Sequence, residues 1–156
     1  GERPEQIAEV VAFTAPRLPA QKPRYLMGVG YEQDIVHAVR SGIDMFDCVL
    51  PTRNARNAQA FTRSGRMNLK NAKFAEDDVP IDASCDCATC VGGYSRAYIR
   101  HLLNASESLA GSLVATHNLR HFQRLMLDIR QAIRDNDWSA FRAGWPGLRT
   151  HLAPLS

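Results

Sequence analysis

The sequence lacks any long hydrophobic run. None of its apolar stretches approaches the ~18 residues of a membrane-spanning helix, and its opening residues show no pattern typical of a secretory signal. Internal repeats and low-complexity tracts are also missing. The chain has 156 residues, of which 45% are hydrophobic and 22% charged, and this is the composition of a globular domain with a core. We therefore expect no membrane contact and a cytoplasmic protein.

Acidic residues are absent from one segment. Between Thr52 and Phe74 there is no Asp or Glu, and the stretch from Glu76 to Asp86 is then strongly acidic. A basic stretch without acids is a candidate surface for a polyanion. The alternative is an ordinary solvated face, which is what scattered charge usually means. The basic residues of the segment are Arg53, Arg56, Arg63, Arg66, Lys70 and Lys73.

Cysteine is scarce, and three of the four cysteines are clustered. Cys85, Cys87 and Cys90 form a C-x-C-x2-C pattern, whereas Cys48 stands alone. Clustered thiols without a secretory signal indicate a metal site rather than disulfides. The pattern therefore predicts bound Zn²⁺, for which three thiolates supply most of the ligands.

A histidine is expected to complete this zinc site, because tetrahedral zinc takes four thiolate or imidazole ligands. His117 lies at the start of a predicted long helix, and His121 follows one turn later. On the residues alone both are candidates. Four protein ligands would close the coordination sphere, so we expect a structural zinc rather than a catalytic one.

Apolar periodicity predicts a strand, a helix and a second strand near the start of the chain. Residues 24–30 are expected to form a short buried strand ending in glycines, residues 31–40 a helix closed by Gly42, and residues 43–50 the second strand. Short connections around one helix predict a parallel pair. Because parallel sheets need cover on both faces, the chain should require more strands than it contains.

Helices and one hairpin make up the other predicted elements. The hairpin signal is a Ser-Gly turn between short apolar segments. In chain order we predict a helix within residues 1–14 with Pro4 near its first turn, a loop at 15–23, a loop at 51–59, hairpin strands at 60–62 and 66–69, an irregular stretch at 71–84, and helices at 94–110 (ended by Gly111), about 116–135 and 138–145.

Residues 44–57 combine two carboxylates with a basic exit. Asp44 and Asp47 lie in the second predicted strand, Pro51 ends it, and two arginines follow. An acid at a strand end beside a basic loop suits chemistry on an anionic substrate. A buried strand with a polar exit is the simpler alternative.

Five motifs, in the same order along the chain, resemble the bacterial tRNA-guanine transglycosylases. They are Tyr25-Leu26-Met27-Gly28-Val29-Gly30, the segment from Asp44 to Asn57, the three-cysteine cluster, Tyr94-Ser95-Arg96-Ala97-Tyr98, and Thr116-His117-Asn118-Leu119. The resemblance covers nearly the whole chain and implies the C-terminal portion of a zinc-containing (β/α)8 TIM barrel, an α/β fold. The family exchanges guanine at the tRNA wobble position for a 7-deazaguanine base on the route to queuosine.

The resemblance also implies roles for individual residues. Asp47 matches the family's nucleophile, which attacks the ribose C1′, expels guanine and leaves a covalent glycosyl ester. Asp44, three residues earlier in a strand, would face the opposite side. Met27 matches a residue that packs on the bound base, and Gly28 and Gly30 would let base and ribose approach the backbone.

Partner contacts follow from the same resemblance. Arg53 and Arg56 match residues that hold the tRNA anticodon loop. His117 matches the fourth zinc ligand, which favours it over His121. The aromatic residues at 94, 98 and 101 match a cluster at the family's homodimer interface, although from the residues alone they are equally a helix packing face.

The resemblance divides the chain into three expected parts. Residues 1–59 would form the last βα units of the barrel, 60–118 an inserted zinc-binding subdomain, and 119–156 C-terminal helices packing on the barrel. Gly1 and Glu2 match the end of a loop that lines the base pocket, so the upstream barrel half is expected from the same or another chain. The alternative function is a non-catalytic, zinc-stabilised RNA-binding module or accessory subunit, and a zinc-bound domain without an RNA role is the third.

Overall fold

A computed structural model describes residues 3–148 and contains both helices and strands. Two compact units are present: the first extends to Leu50, and the second runs from Pro51 to Leu148. Gly1 and Glu2, matched above to a pocket loop, lie outside the described residues. Among residues 3–148, no helix combines the length and the apolar character needed to cross a membrane.

The first unit is built on the predicted βαβ element. Its two strands pair in parallel, with Tyr25 opposite Met45. On the connecting helix Ile35 and Val36 are buried, and Gly42 follows the helix with a φ of +101° that favours glycine. The elements are α1 (Pro4–Thr14), a 3₁₀ turn (Ala15–Arg17) in the predicted loop, β1 (Tyr25–Leu26), α2 (Glu32–Arg40) and β2 (Met45–Phe46).

Both strands are shorter than the apolar pattern predicted, and β1 is not buried. Pairing covers two residues in each strand. Tyr25 and Met27 are 48% and 72% exposed. The length of a strand depends on its hydrogen-bonding neighbours, which an apolar run does not reveal. The buried cluster of this unit therefore comes mainly from α1, α2 and the turns beside them: Val11, Ala15, Ala38 and Ile43.

The second unit combines a hairpin with a group of helices. Its strands pair antiparallel, with Phe61 opposite Arg66, which confirms the predicted hairpin. The core contains Leu69, Ile81, Ile99 and Val114. Its elements are α3 (Leu50–Arg56), β3 (Gln59–Thr62), β4 (Gly65–Asn68), a 3₁₀ turn (Ala72–Phe74), α4 (Ala88–Val91), α5 (Arg96–Asn104), α6 (Ser108–Asp135) and α7 (Trp138–Gly144).

Helix α3 replaces the loop predicted at 51–59. Proline is tolerated in the first turn of a helix, where its missing N–H has no intrahelical acceptor to lose. Leu50 and Ala55 are buried, so the segment is held by packing despite its polar sequence. The prediction was wrong because Pro51 was taken as the end of a strand rather than the start of a helix.

The boundary between the two long helices was also misplaced. Helix α5 ends at Asn104, and α6 already begins at Ser108. Ser106 has a φ of +60°, which breaks the helix between them. Gly111, predicted to end the first helix, lies inside α6, where glycine lowers helix propensity without ending the helix. The end of α6 at Asp135 and the final short helix α7 agree with the prediction.

Candidate metal centre and candidate active site

Four predicted ligands come together in the second unit. Cys85, Cys87, Cys90 and His117 are all buried, and their ligand atoms lie within 4.8 Å of one another. His117 Nδ1 is 3.4 Å from the Cys90 sulfur and 3.7 Å from the Cys87 sulfur. In tetrahedral zinc, bonds of about 2.3 Å to sulfur and about 2.05 Å to nitrogen place these atoms about 3.6 Å apart. The cluster therefore has the dimensions of a metal site.

A backbone contact fixes which nitrogen of His117 faces the thiols. Its Nε2 lies 2.8 Å from the carbonyl oxygen of Phe61. A carbonyl only accepts, so Nε2 carries the proton and Nδ1 presents its lone pair to the cysteines. Burial lowers the pKa of His117, which keeps the ring neutral, as a metal ligand must be.

Burial has the opposite effect on the thiols. It raises the pKa of both Cys85 and Cys90, because the apolar surroundings disfavour the thiolate. Without metal, Cys85 and Cys90 would therefore hold their protons at neutral pH, and a bound cation would displace them. Three soft sulfur ligands and one imidazole suit Zn²⁺.

Short local elements hold the cysteines. Cys87 is the N-cap of α4, and its sulfur accepts from the N–H of Cys90 at 3.3 Å. Thr89, buried in the same helix, donates its hydroxyl proton to the carbonyl of Leu113 at 2.7 Å. These contacts tie the cysteine cluster to helix α6, which carries His117.

Asn118 was matched within a motif but given no role, and the structure shows what it does. Its side-chain oxygen accepts from the N–H of Phe61 at 3.0 Å. Its amide nitrogen donates to the carbonyls of Pro51 and Gln59, both at 2.9 Å. This fully buried side chain therefore fixes the hairpin strand whose Phe61 carbonyl orients His117.

His121, the other candidate ligand, is outside the cluster. It is buried among aromatic rings, with its ring centroid 5.0 Å from Trp145 and 5.3 Å from Phe122. His121 is one turn beyond His117, so the same helix presents one histidine to the thiols and the other to this aromatic group.

The first unit holds Asp47 in a defined orientation. Its Oδ1 accepts from the Tyr25 hydroxyl at 2.8 Å and from the Gly28 N–H at 3.0 Å. Both hydrogen bonds lower the pKa of Asp47, and the bond from Tyr25 has the larger effect. The Tyr25–Asp47 bond also raises the pKa of Tyr25. Asp47 is therefore an exposed, ionised carboxylate, and Tyr25 remains its protonated donor. Tyr25 lies in the motif matched above, but its role was not predicted.

Asp44 has a different environment. Its Oδ2 accepts from the backbone N–H of Arg24 at 2.8 Å. The same backbone holds the start of β2, because the carbonyl of Arg24 accepts from the N–H groups of Asp44 and Met45. Asp44 thus fastens the two strands together, which gives this carboxylate a structural explanation.

The residues predicted to contact a base follow β1, where the Gly28 N–H binds Asp47, and they differ in what they offer. Met27 is exposed, and Gly28 has a φ of +75° with open space where a side chain would be. Gly30 is constrained instead, since an added Cβ would lie 2.5 Å from the Cys48 sulfur. Packing against Cys48 is sufficient reason for this glycine, and it gives that cysteine a packing role.

Arg53 and Arg56 share the solvent-exposed face of α3. Their three-residue spacing puts them on one side of the helix, opposite the buried Ala55. The rest of the basic segment is less uniform. Arg63 pairs with Asp128 at 2.7 Å and lies over the Trp145 ring, so part of the predicted polyanion surface is already neutralised within the protein.

Together, an oriented carboxylate beside a βα turn and a buried Cys3His cluster define a metal-binding protein of mixed α/β structure. Residues 1–149 match the family model described as queuine tRNA-ribosyltransferase. The chain belongs to this family, which confirms the resemblance read from the motifs.

Curated relatives with that same name agree. The chain is 52% identical to the one from Sorangium cellulosum over 94% of its own length, and 54% identical to the one from Streptococcus agalactiae over 91%. A relative from Thioalkalivibrio sulfidiphilus is 49% identical over 99% of the chain. The chain spans 37% to 41% of the length of these relatives.

Proposed function

We propose that this chain is the C-terminal portion of an enzyme that exchanges guanine for a 7-deazaguanine base at the wobble position of tRNA. The observation that carries the proposal is Asp47, an exposed carboxylate that two hydrogen bonds hold in its ionised form. The names of the relatives support a tRNA-ribosyl transfer, and a carboxylate nucleophile is one chemical route to it.

Asp47 would act by double displacement. Because Oδ1 accepts both hydrogen bonds, we assign the attack on the ribose C1′ to Oδ2. The C1′–N9 bond breaks, its electron pair leaves with guanine, and a glycosyl ester forms on Asp47. The incoming base then attacks C1′ through its corresponding nitrogen and releases the carboxylate, as in retaining glycosidases. In this proposal a group in the upstream part of the enzyme protonates the leaving guanine and takes a proton back from the attacking nitrogen of the incoming base.

The proposed architecture places this chemistry at a barrel mouth. Strands β1 and β2 would be the last two strands of a (β/α)8 barrel, with Asp47 beyond the end of β2, where such barrels carry their active sites. Met27 would pack on the base, and Gly28 would let it approach. Residues 1–59, 60–118 and 119–156 remain the proposed barrel, zinc and C-terminal helical parts.

The metal we propose is a structural Zn²⁺ on Cys85, Cys87, Cys90 and His117. The donor set and its dimensions support this assignment. Such an ion supplies no chemistry to the transfer. It would hold the cysteine segment, α4 and the start of α6 together.

The aromatic residues Tyr94, before α5, and Tyr98, within it, support a proposed homodimer contact. The rings of Tyr94 and Tyr98 stack with centroids 6.0 Å apart, and Tyr98 is 42% exposed. Exposed, ordered aromatic rings are enriched at protein interfaces.

Guanine exchange on tRNA is the experiment that tests the proposed function. The complete protein should incorporate labelled guanine into unmodified tRNA, whereas an accessory RNA-binding module would bind tRNA without exchange. If the protein bound tRNA but exchanged no guanine, even with the upstream half present, the accessory RNA-binding function would be favoured.

Replacing Tyr25 with phenylalanine should shift the acid limb of the exchange reaction. The hydroxyl lowers the pKa of Asp47 from its ordinary value of 3.8, so the wild-type carboxylate stays ionised to lower pH. Without that bond the pKa rises, and activity should be lost at a higher pH than in the wild-type protein. The measurement is kcat/KM against pH. Tyr31→Phe, a tyrosine outside this hydrogen bond, is the control, and identical acid limbs for all three proteins would contradict the assigned role of Tyr25.

Replacing Arg53 or Arg56 with alanine should weaken tRNA binding. Each substitution would remove one phosphate contact. The slope of log Kd against log salt concentration should then decrease by about one per contact. We expect a higher KM for tRNA with kcat nearly unchanged. Arg130→Ala, an exposed arginine on α6, is the matched control. An unchanged salt slope in both variants would argue against a role of α3 in tRNA binding.

A further inference from the structure

Two arginines on α6 form hydrogen bonds and ion pairs with the segment that carries the cysteines. Asp86 lies between the first two cysteines, and Arg120 donates to both of its oxygens, from Nε at 2.8 Å and from Nη2 at 2.6 Å. Arg124 donates to the carbonyl of Ser84 at 2.6 Å and lies 3.7 Å from Asp86. We call Asp86, Arg120 and Arg124 the clasp.

The two arginines of the clasp and the histidine ligand lie on the same side of helix α6. Residues 117, 120 and 124 follow the three- and four-residue spacing that aligns side chains along a helix. Helix α6 therefore supplies one ligand, His117. Through Arg120 and Arg124 it also binds the segment that supplies the thiols. A two-pronged Arg–carboxylate pair fixes geometry more closely than a single contact does.

Charge gives the clasp a second effect. Three thiolates, one neutral imidazole and a divalent cation leave a net charge of −1, and Asp86 adds another negative charge beside it. The guanidinium groups of Arg120 and Arg124 offset both. Arg120 and Arg124 have side chains 31% and 27% exposed, so the attraction is partly screened by solvent and should depend on salt.

We propose that Arg120 and Arg124 are positioning residues that slow the release of the metal, with Asp86 as their anchor. The inference rests on the proposed zinc centre and extends it to residues that do not touch the metal. Outer partners of metal ligands affect metal affinity by roughly 10- to 100-fold, and we expect the clasp to act near the lower limit because its groups are partly exposed.

The test uses the complete protein purified with its metal, and measures transfer of the metal to a chromogenic chelator. Arg120→Gln and Asp86→Asn should each release it about tenfold faster than the wild-type protein. Arg130→Gln, on the exposed side of the same helix, should release it at the wild-type rate. High salt should reduce the difference between Arg120→Gln and wild type.

Further readouts separate metal retention from a general loss of fold. Arg120→Lys keeps the charge but not the two-pronged contact, and should restore part of the slow release. In cobalt-loaded protein, the sulfur-to-metal absorption bands should shift in Arg120→Gln and stay unchanged in Arg130→Gln. If Arg120→Gln and Asp86→Asn released the metal at the wild-type rate, the proposed role of the clasp would be overturned and the zinc proposal would stand. A wild-type protein purified without stoichiometric metal would overturn the zinc proposal, and the clasp with it.

Discussion

Replacing Asp47 with asparagine is expected to reduce guanine exchange on tRNA by about 10³-fold or more, because removal of a covalent nucleophile eliminates the main route of reaction. The amide has the shape of the carboxylate and can still accept from Tyr25 and Gly28, the two groups that hold Asp47. The loss should therefore fall on kcat, with the KM for tRNA changed little. Exchange of labelled guanine at saturating tRNA measures it.

Asp44→Asn is the matched control for this substitution, since it changes the other carboxylate of the same segment. Its side chain accepts from the backbone N–H of Arg24, a bond that the asparagine oxygen can also accept, so its replacement should change stability slightly and leave the chemistry intact. We expect exchange activity within about tenfold of wild type once the protein is folded. The opposite pattern, an active Asp47→Asn and an inactive Asp44→Asn, would show that Asp44 rather than Asp47 carries the reaction.

Replacing Cys90 with serine is expected to remove the metal and destabilise the second unit. A serine hydroxyl is a poor ligand for zinc, and metal-binding energy in such sites is folding energy. We expect a loss of at least about 3 kcal/mol, and therefore a fall of several degrees in the unfolding temperature of the complete protein. Metal content per chain and thermal unfolding of the complete protein measure the two effects.

Cys48→Ser is the control for this second substitution. Cys48 is the one cysteine outside the cluster, so its serine variant should keep its metal. Full metal content in Cys90→Ser with an unchanged unfolding temperature would contradict the assignment of Cys90 as a ligand.

Local sequence signals predicted the elements that local interactions form. Helix α2, the hairpin and α7 appeared close to where they were expected, since each carries its own start or stop residue. Predictions failed where one residue type is compatible with two local structures. Pro51 can end a strand or open a helix, and Gly111 can end a helix or lie within one. Packing decided both cases, and packing is not visible in a local pattern.

The metal ligands were predictable because three of them lie within six residues and have few other uses. Choosing His117 over His121 needed the family resemblance, since spacing along the helix allows either. Tyr25, Asn118 and the clasp were not predicted, because their partners are 22, 57 and 34 residues away along the chain. Only the folded chain shows that a tyrosine from one strand orients a carboxylate that follows the next.

Trapping the covalent intermediate tests the central proposal most directly. The complete protein would be mixed with tRNA, denatured before the second displacement, digested and analysed by mass spectrometry for a peptide carrying a ribosyl adduct. The proposal predicts that the adduct is on Asp47 and is absent from Asp47→Asn. An adduct on Asp44 or any other residue, or one that persists in Asp47→Asn, would contradict it.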